Sequence, residues 1–336
     1  MTATDSDDLR HMTHALRLAR RGLGNVWPNP AVGCVLIHDG RVVGRGWTQP
    51  GGRPHAERVA LDQAGPLARG ATAYVTLEPC AHHGRTPPCA EALVSAGIRR
   101  VVTALTDPDP RVAGRGHAIL RSAGIAVTEG VAEAEARALQ VGFLLRVTEN
   151  RPFLTLKLAT SFDGRIATAA GESKWITGSK ARAHTHAMRL QHDAIMVGGG
   201  TARSDLPSLN VRGMGAVRQP MRVVVSSRPL PDLPPEGPEH GPLMRIWGEP
   251  DEMMADLATE GITRVFCEGG GILAATLLQA GLVDQMIGYT AGLALGAEGR
   301  ASIGALSLPT LAAAPRFRLV ESRAIGPDLF HRWLRA

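Results

Sequence analysis

The chain has 336 residues, 44% of them hydrophobic and 20% charged, enough for two domains with separate cores, which excludes disordered and fibrous classes. Its net charge of +6 suits anionic partners, yet aromatics make up only 4% and the arginines are spread singly. A stacking platform for single-stranded nucleic acid is thereby excluded, and small phosphate-bearing ligands are expected instead.

The elements read in chain order as follows. DLRHMTHALRLARRG (8–22) has apolar residues at helical spacing, and AVGCVLIHDGRVVGRGW (31–47) predicts two strands joined at Asp39-Gly40, a hairpin signal. A helix over 56–65, a strand over 71–79, a helix over 89–98 and a strand over 99–107 follow. The half closes with a helix over 116–125, a strand over 126–131 and a helix from about Ala132 to Leu145. Such alternation specifies an α/β layer. The polar VTENRP (147–152) ends in proline and sets the boundary between domains 1–147 and 151–336. The pattern then restarts with a strand and turn (152–167), a helix (179–193) and strands at 194–201 and 221–227. Strand, glycine turn, helix and strand follow over 264–296.

Four cysteines, at 34, 80, 89 and 267, are too scattered for a disulfide framework. The opening MTATDSDDLRHM lacks the apolar core of a secretory signal, and the longest nearly apolar run, 271–283, is too short to span a bilayer. No membrane partner and a cytoplasmic location are expected.

Two of those cysteines belong to a set that carries chemistry. His55-Ala56-Glu57 begins a helix, Pro79-Cys80 follows the strand AYVTLE, and Pro87-Pro88-Cys89 opens the next helix. This reading places all three candidate ligands, His55, Cys80 and Cys89, at helix N-termini, where unpaired N–H groups and the dipole favour the thiolate that a metal needs. One imidazole and two thiolates make a three-ligand zinc site with an open fourth position, and zinc so held lowers the pKa of water to about 7. Glu57 is close but not a ligand; it is placed to carry a proton from water to a leaving amine. His-x-Glu with a later Pro-Cys is the zinc deaminase pattern, although Cys80 and Cys89 are nine apart where nucleoside and tRNA deaminases have three. Buried structural cysteines would be the plain alternative. In the second half, Gly198-Gly199-Gly200-Thr201 and Gly269-Gly270-Gly271 each follow an apolar strand and precede a helix, an order that presents backbone N–H groups to phosphate. Neither turn is GxGxxG, so the Rossmann fingerprint is absent.

The strings LEPCAHHGRTPPC (77–89), PNPAVGCV (28–35) and DPDPRVAGRG (107–116) resemble the bifunctional riboflavin-biosynthesis deaminase-reductase family, and KLATSFDGRIA, GESKWITG and the EGGG loop extend the resemblance over the whole chain. It implies a cytidine-deaminase-like α/β/α N-terminal domain and a dihydrofolate-reductase-like α/β C-terminal domain. The first would deaminate diaminohydroxyphosphoribosylaminopyrimidine with zinc on His55, Cys80 and Cys89 and Glu57 as proton shuttle; the second would reduce the ribosyl chain to ribityl with NADPH. It further implies substrate contacts at Asn29, His82, Arg85 and Asp107, with Arg85 as the cation for the phosphate. For NADPH it implies Ala159, Trp175, Thr201, Asp205, Ser227 and the turn from Gly270 and Gly271. For the second substrate it implies Ser173, Arg189, Leu209, Arg212 and Glu268, with Arg189 and Arg212 as phosphate clamps. Lys157 would lie near the reacting sugar. Two departures stand out: Leu206 where a second aspartate is usual, which bears on cofactor affinity, and Gly292 where proline is common. A homo-oligomer, dimer or larger, is expected. A nucleic-acid deaminase would need a basic stripe, stacking aromatics and a short Cys-x-x-Cys, none of which is present. A C-terminal half reduced to an assembly domain would bind no NADPH.

Overall fold

Two sheets, each with its own hydrophobic core, organise the computed structural model, which describes residues 3–83, 87–110, 112–215 and 217–336. The chain divides into two compact units, Met1–Glu149 and Asn150–Ala336. No helix among the described residues is long and apolar enough to cross a membrane.

In the first unit the order is α1 (Ala3–Ala19), β1 (Gly33–His38), β2 (Arg41–Trp47), α2 (Ala56–Ala64), β3 (Thr72–Val75), α3 (Cys89–Ser95), β4 (Arg100–Thr103), α4 (Arg115–Ser122), β5 (Ala126–Thr128) and α5 (Glu133–Glu149). The sheet order is β2-β1-β3-β4-β5: the β1–β2 hairpin and the β1–β3 pair are antiparallel, and the β3–β4 and β4–β5 pairs are parallel. Valines, leucines and alanines of β1, β3 and β4 fill the core with the apolar stripes of the helices. Three strand glycines let helices lie directly on the sheet. A Cβ on Gly33 would sit 2.0 Å from the Ala15 carbonyl of α1, and one on Gly44 or Gly46 would sit 2.2 or 2.1 Å from the Ala60 or Ala56 carbonyl of α2. The last helix runs four residues beyond the Leu145 expected for its end. Val147 still packs against the core, Thr148 and Glu149 are exposed, and the chain turns only at Asn150, whose φ is 52°.

The second unit runs β6 (Phe153–Ser161), β7 (Arg165–Ala167), α6 (Ser179–Arg189), β8 (Ala194–Gly198), α7 (Gly199–Asp205), β9 (Met221–Val225), β10 (Leu243–Ile246), α8 (Pro250–Thr259), β11 (Arg264–Cys267), α9 (Gly271–Gln279), β12 (Gln285–Ala291), β13 (Arg300–Ala301), β14 (Phe317–Ile325) and β15 (Asp328–Arg335). Eight strands form one sheet in the order β10-β9-β8-β11-β6-β12-β15-β14, parallel from β10 to β12 and antiparallel at β12–β15–β14. Its parallel strands are nearly continuous apolar runs, as sheets covered on both faces require. The β14–β15 hairpin, together with β10 and α8, escapes a reading of sequence periodicity. FRLVESRAI and DLFHRWLR interleave charges with apolar residues because only part of this outer hairpin is buried.

Candidate active sites

In the first unit, His55 caps the start of α2 and Cys89 is the first residue of α3. His55 Nδ1 lies 3.7 Å from Cys80 Sγ and 3.3 Å from Cys89 Sγ, and the three donor atoms fall within 4.8 Å of one another. Zinc bonds of about 2.0–2.3 Å in a tetrahedron separate nitrogen and sulfur ligands by about 3.6 Å, close to both nitrogen–sulfur distances here. One expectation is corrected. Cys80 begins no helix but lies in the loop after β3; the helix terminus that serves it is that of α3, whose Cys89 N–H donates to Cys80 Sγ at 3.2 Å. A hydrogen bond from the Cys89 thiol, aided by His55 and opposed by burial, holds the Cys80 thiol down at about 4. The bond to Cys80 and burial push Cys89 well up, so the two sulfurs share one proton with the charge on Cys80. The hydrogen bond with Cys80 also raises His55 against the effect of burial.

Glu57, in the first turn of α2, is 4% exposed and faces the same cavity as His55 and Cys80. Burial raises its carboxyl, with His55 pulling in the opposite direction. A carboxyl so poised accepts and returns a proton more evenly than a solvated one. The cavity, about 350 Å³, is lined by His55, Glu57 and Cys80 together with Asn29, His82 and Asp107. Arg85 lies outside the described residues.

Sequence patterns gave no signal for Glu78. Its carboxylate is buried beside the cavity and accepts four backbone N–H bonds: from Asp107 (3.2 Å), Gly114 (3.0 Å), Gly116 (2.9 Å) and His117 (3.2 Å). Three of them come from the start of α4, where unpaired N–H groups and the dipole favour an anion. One side chain therefore ties the segment of Cys80 to the segment of Asp107, whose own Oδ1 accepts the Asp109 N–H at 2.9 Å.

The second unit holds a cleft of about 1050 Å³ where the ends of β8, β9 and β11 meet α7 and α9. Ser173, Thr201, Asp205, Ser227, Gly270 and Gly271 all line it. Gly269 and Gly270 have φ of 82° and 92°, which only glycine adopts readily, and a Cβ on Gly199 would stand 2.5 Å from Ser226 Oγ. The backbone is thus exposed to the cleft as a phosphate-bearing dinucleotide requires. Leu206 ends α7 in the left-handed region at φ 43°, a conformation that aspartate accepts at lower cost than leucine.

The remaining positions lie apart from the cleft lining. At the end of β11, Glu268 accepts a 2.5 Å bond from Arg189 Nε and stands 3.6 Å from Lys157 Nζ, while Arg189 Nη1 donates to the Asn210 carbonyl at 2.6 Å. Burial would raise the Glu268 carboxyl, but Arg189 and Lys157 outweigh it and hold it at about 2. Arg212 is exposed, and its N–H donates to His186 Nδ1 at 3.2 Å. Leu209 is buried at φ 47°. Ala159 packs beside Phe266 and Tyr289, and Trp175 is 70% exposed with the Arg182 guanidinium 4.4 Å over its ring.

Residues 152–331 match the RibD C-terminal domain family, and residues 5–105 match the cytidine and deoxycytidylate deaminase zinc-binding region. Among curated relatives, the riboflavin biosynthesis protein RibD of Escherichia coli strain K12 is 42% identical over 96% of this chain and 98% of its own length. That of Haemophilus influenzae is 40% identical over 98% of both chains. Among solved structures, Acinetobacter baumannii RibD, form 2, superimposes with a TM-score of 0.90 at 39% identity, covering 99% of this chain and 100% of that one. A diaminohydroxyphosphoribosylaminopyrimidine deaminase/5-amino-6-(5-phosphoribosylamino)uracil reductase from Thermotoga maritima gives a TM-score of 0.87 at 33% identity, covering 99% and 100%.

Proposed function

The chain belongs to the RibD family of riboflavin-biosynthesis proteins, and from that membership we propose how its residues divide two consecutive reactions. It is a bifunctional enzyme. The deaminase exchanges an amino group of a phosphoribosylated diaminopyrimidine for oxygen and releases ammonia, and the reductase converts the ribosyl side chain of the product to ribityl. The observation that carries the assignment is the pairing, in one chain, of a preformed His55/Cys80/Cys89 donor set beside a buried carboxyl with a glycine-walled dinucleotide cleft.

In our reading the deaminase is residues 1–147 and the reductase 151–336. Zinc on His55, Cys80 and Cys89 supplies Lewis acidity and acidifies water. Glu57 takes a proton from the attacking water and hands it to the departing amine, so the carboxyl returns to its starting state as ammonia leaves. Asn29, His82 and Asp107 orient the pyrimidine and its sugar, and Arg85 is the cation for the phosphate. In the second unit NADPH supplies the hydride. Thr201, Asp205, Ser227, Gly270 and Gly271 form its bed, with Ala159 and Trp175 as further contacts, and Ser173, Arg189, Leu209, Arg212 and Glu268 hold the second substrate, with Arg189 and Arg212 on its phosphate. Ser173 lines the cleft while the other four lie apart from its lining, as suits a substrate that reaches past the cofactor. A homo-oligomer and a cytoplasmic setting, where the thiols stay reduced, complete the proposal.

Zinc-loaded protein incubated with the diamino substrate should yield the deaminated uracil alone. Added NADPH should then bring two further hydrogens into the product, as mass analysis reads directly. Recovery of unchanged substrate in both reactions would overturn the proposal.

A further inference from the structure

Residues 206–212, between α7 and β9, belong to no helix or strand, so their backbone groups need partners from outside regular structure. Side chains supply them. Arg189 Nη1 donates to the Asn210 carbonyl at 2.6 Å, and Gln219 serves both Val211 groups, accepting its N–H at 2.7 Å and donating to its carbonyl at 3.1 Å. His186 Nδ1 accepts the Arg212 N–H at 3.2 Å, and the Asn210 side-chain amide donates to the Glu239 carbonyl at 3.1 Å. Within this frame Leu209 persists at φ 47°, as a residue in the left-handed region does only when its surroundings over-determine it. His186 and Arg189 are three apart on α6 and so share the helix face turned to the segment. Arg212 is exposed, so packing does not fix its guanidinium, and its aim depends on where its backbone is held.

We infer that His186 is a positioning residue of the reductase, whose Nδ1 fixes the backbone of Arg212 and so aims that guanidinium at the substrate. The inference rests on the role given to Arg212 above and assigns one to a histidine that had none. A neutral imidazole keeps one acceptor nitrogen and an imidazolium keeps none, so the contact exists only while His186 is uncharged. The charged groups around it are Arg189 on its own helix, Arg212 on the segment and Glu268 at the end of β11. Burial and the two arginines lower its pKa, against Glu268 and the Asn210 carbonyl, so the imidazole is neutral at neutral pH. As pH falls below the ordinary histidine value of 6.5 and through the lowered one, protonation removes the acceptor and sets a third positive charge beside Arg189 and Arg212. Glu268, held at about 2, stays ionised over that window.

The test follows NADPH oxidation on supplied deaminated intermediate, across pH, in the full-length wild type, His186→Leu, His186→Asn, Arg212→Gln and the double variant His186→Leu with Arg212→Gln. His186→Leu should raise KM for the intermediate about three- to tenfold, the scale of one lost hydrogen bond, with kcat, KM for NADPH and ammonia release from the diamino substrate unchanged. Added to Arg212→Gln it should cost nothing more, because a residue that acts through another shows no separate effect once that other is gone. Asparagine places an oxygen acceptor near the position of Nδ1 and takes up no proton, so His186→Asn should hold the wild-type KM at neutral pH. It should also lack the extra rise in KM that the wild type shows in acid. The substrate phosphate titrates near pH 6 in every variant alike, so the difference between these two profiles isolates the imidazole. Fully additive effects of His186→Leu and Arg212→Gln, a loss in kcat equal to that in KM, or identical pH profiles for wild type and His186→Asn would overturn the inference alone. A wild-type KM in Arg212→Gln would overturn the role of Arg212 and the inference with it.

Discussion

Adding one methyl group at Gly46 should disable deamination from the far side of the helix that carries the site. The Cβ of Gly46→Ala would stand 2.1 Å from the Ala56 carbonyl oxygen and 2.8 Å from the Ala60 nitrogen, both backbone atoms of α2 that no rotamer change can move aside. Relaxing that oxygen contact to about 3.3 Å, the lower limit for carbon against a carbonyl, requires α2 to move by about 1.2 Å. His55 and Glu57 ride on the first turn of this helix, whereas Cys80 and Cys89 belong to other segments, so the shift changes the shape of the donor set instead of translating it. A misplacement of about 1 Å costs on the order of 100-fold in rate. Overpacking should lower stability by about 1–3 kcal/mol. The assay is ammonia release, with zinc content measured by mass spectrometry and NADPH oxidation on supplied intermediate as the control in the same chain. Wild-type turnover together with full zinc would refute the argument, because it would show that β2 and α2 tolerate a separation that the structure does not contain.

Glu57→Gln should retain zinc and lose deamination by about 10²–10⁴-fold, the usual scale of general acid/base loss; unchanged ammonia release would reduce Glu57 to a structural carboxyl. Cys80→Ser and Cys89→Ser should each lose metal and deamination together, and full occupancy in both variants would refute the ligand set. Glu78→Gln leaves one oxygen to serve four buried N–H donors, at about 2–4 kcal/mol, so amide exchange at Gly116 and His117 should accelerate at least tenfold; unaltered protection would show that α4 does not depend on this carboxylate. Asp205→Ala with Arg189→Ala should stop NADPH oxidation while deamination continues and its uracil product accumulates, and a halt in ammonia release would mean that the two reactions are coupled.

Much of this protein could be read from local pattern, because strand alternation, helical spacing and turn chemistry act over a few residues. The Asp39-Gly40 hairpin, the helix opened by His55-Ala56-Glu57, the proline-led start at Cys89 and the glycine turns after β8 and β11 are each specified by neighbours in sequence. The donor types of His55, Cys80 and Cys89 and the carboxyl of Glu57 were likewise legible from residue type, although Cys80 starts no helix of its own. The convergence of those residues was not local. Strands β3 and β4 run parallel, with Val75 opposite Thr103, so the loops bearing Cys80 and Asp107 leave the same edge of the sheet, and Glu78 can span them. Nothing in LEPC announces four backbone donors, because they come from residues 29 to 39 positions further along. The bond from Arg146 to the Pro28 carbonyl has the same origin, with α5 returning a residue more than a hundred positions distant. The outer β14–β15 hairpin went unread for the opposite reason: its partial burial leaves no clean alternation, and only pairing with β12 gives it a place in the sheet. The sequence by itself determined which groups can bind metal, move protons and cradle phosphate; the tertiary structure decided which of them share a cavity, because that depends on the order in which the strands are laid side by side.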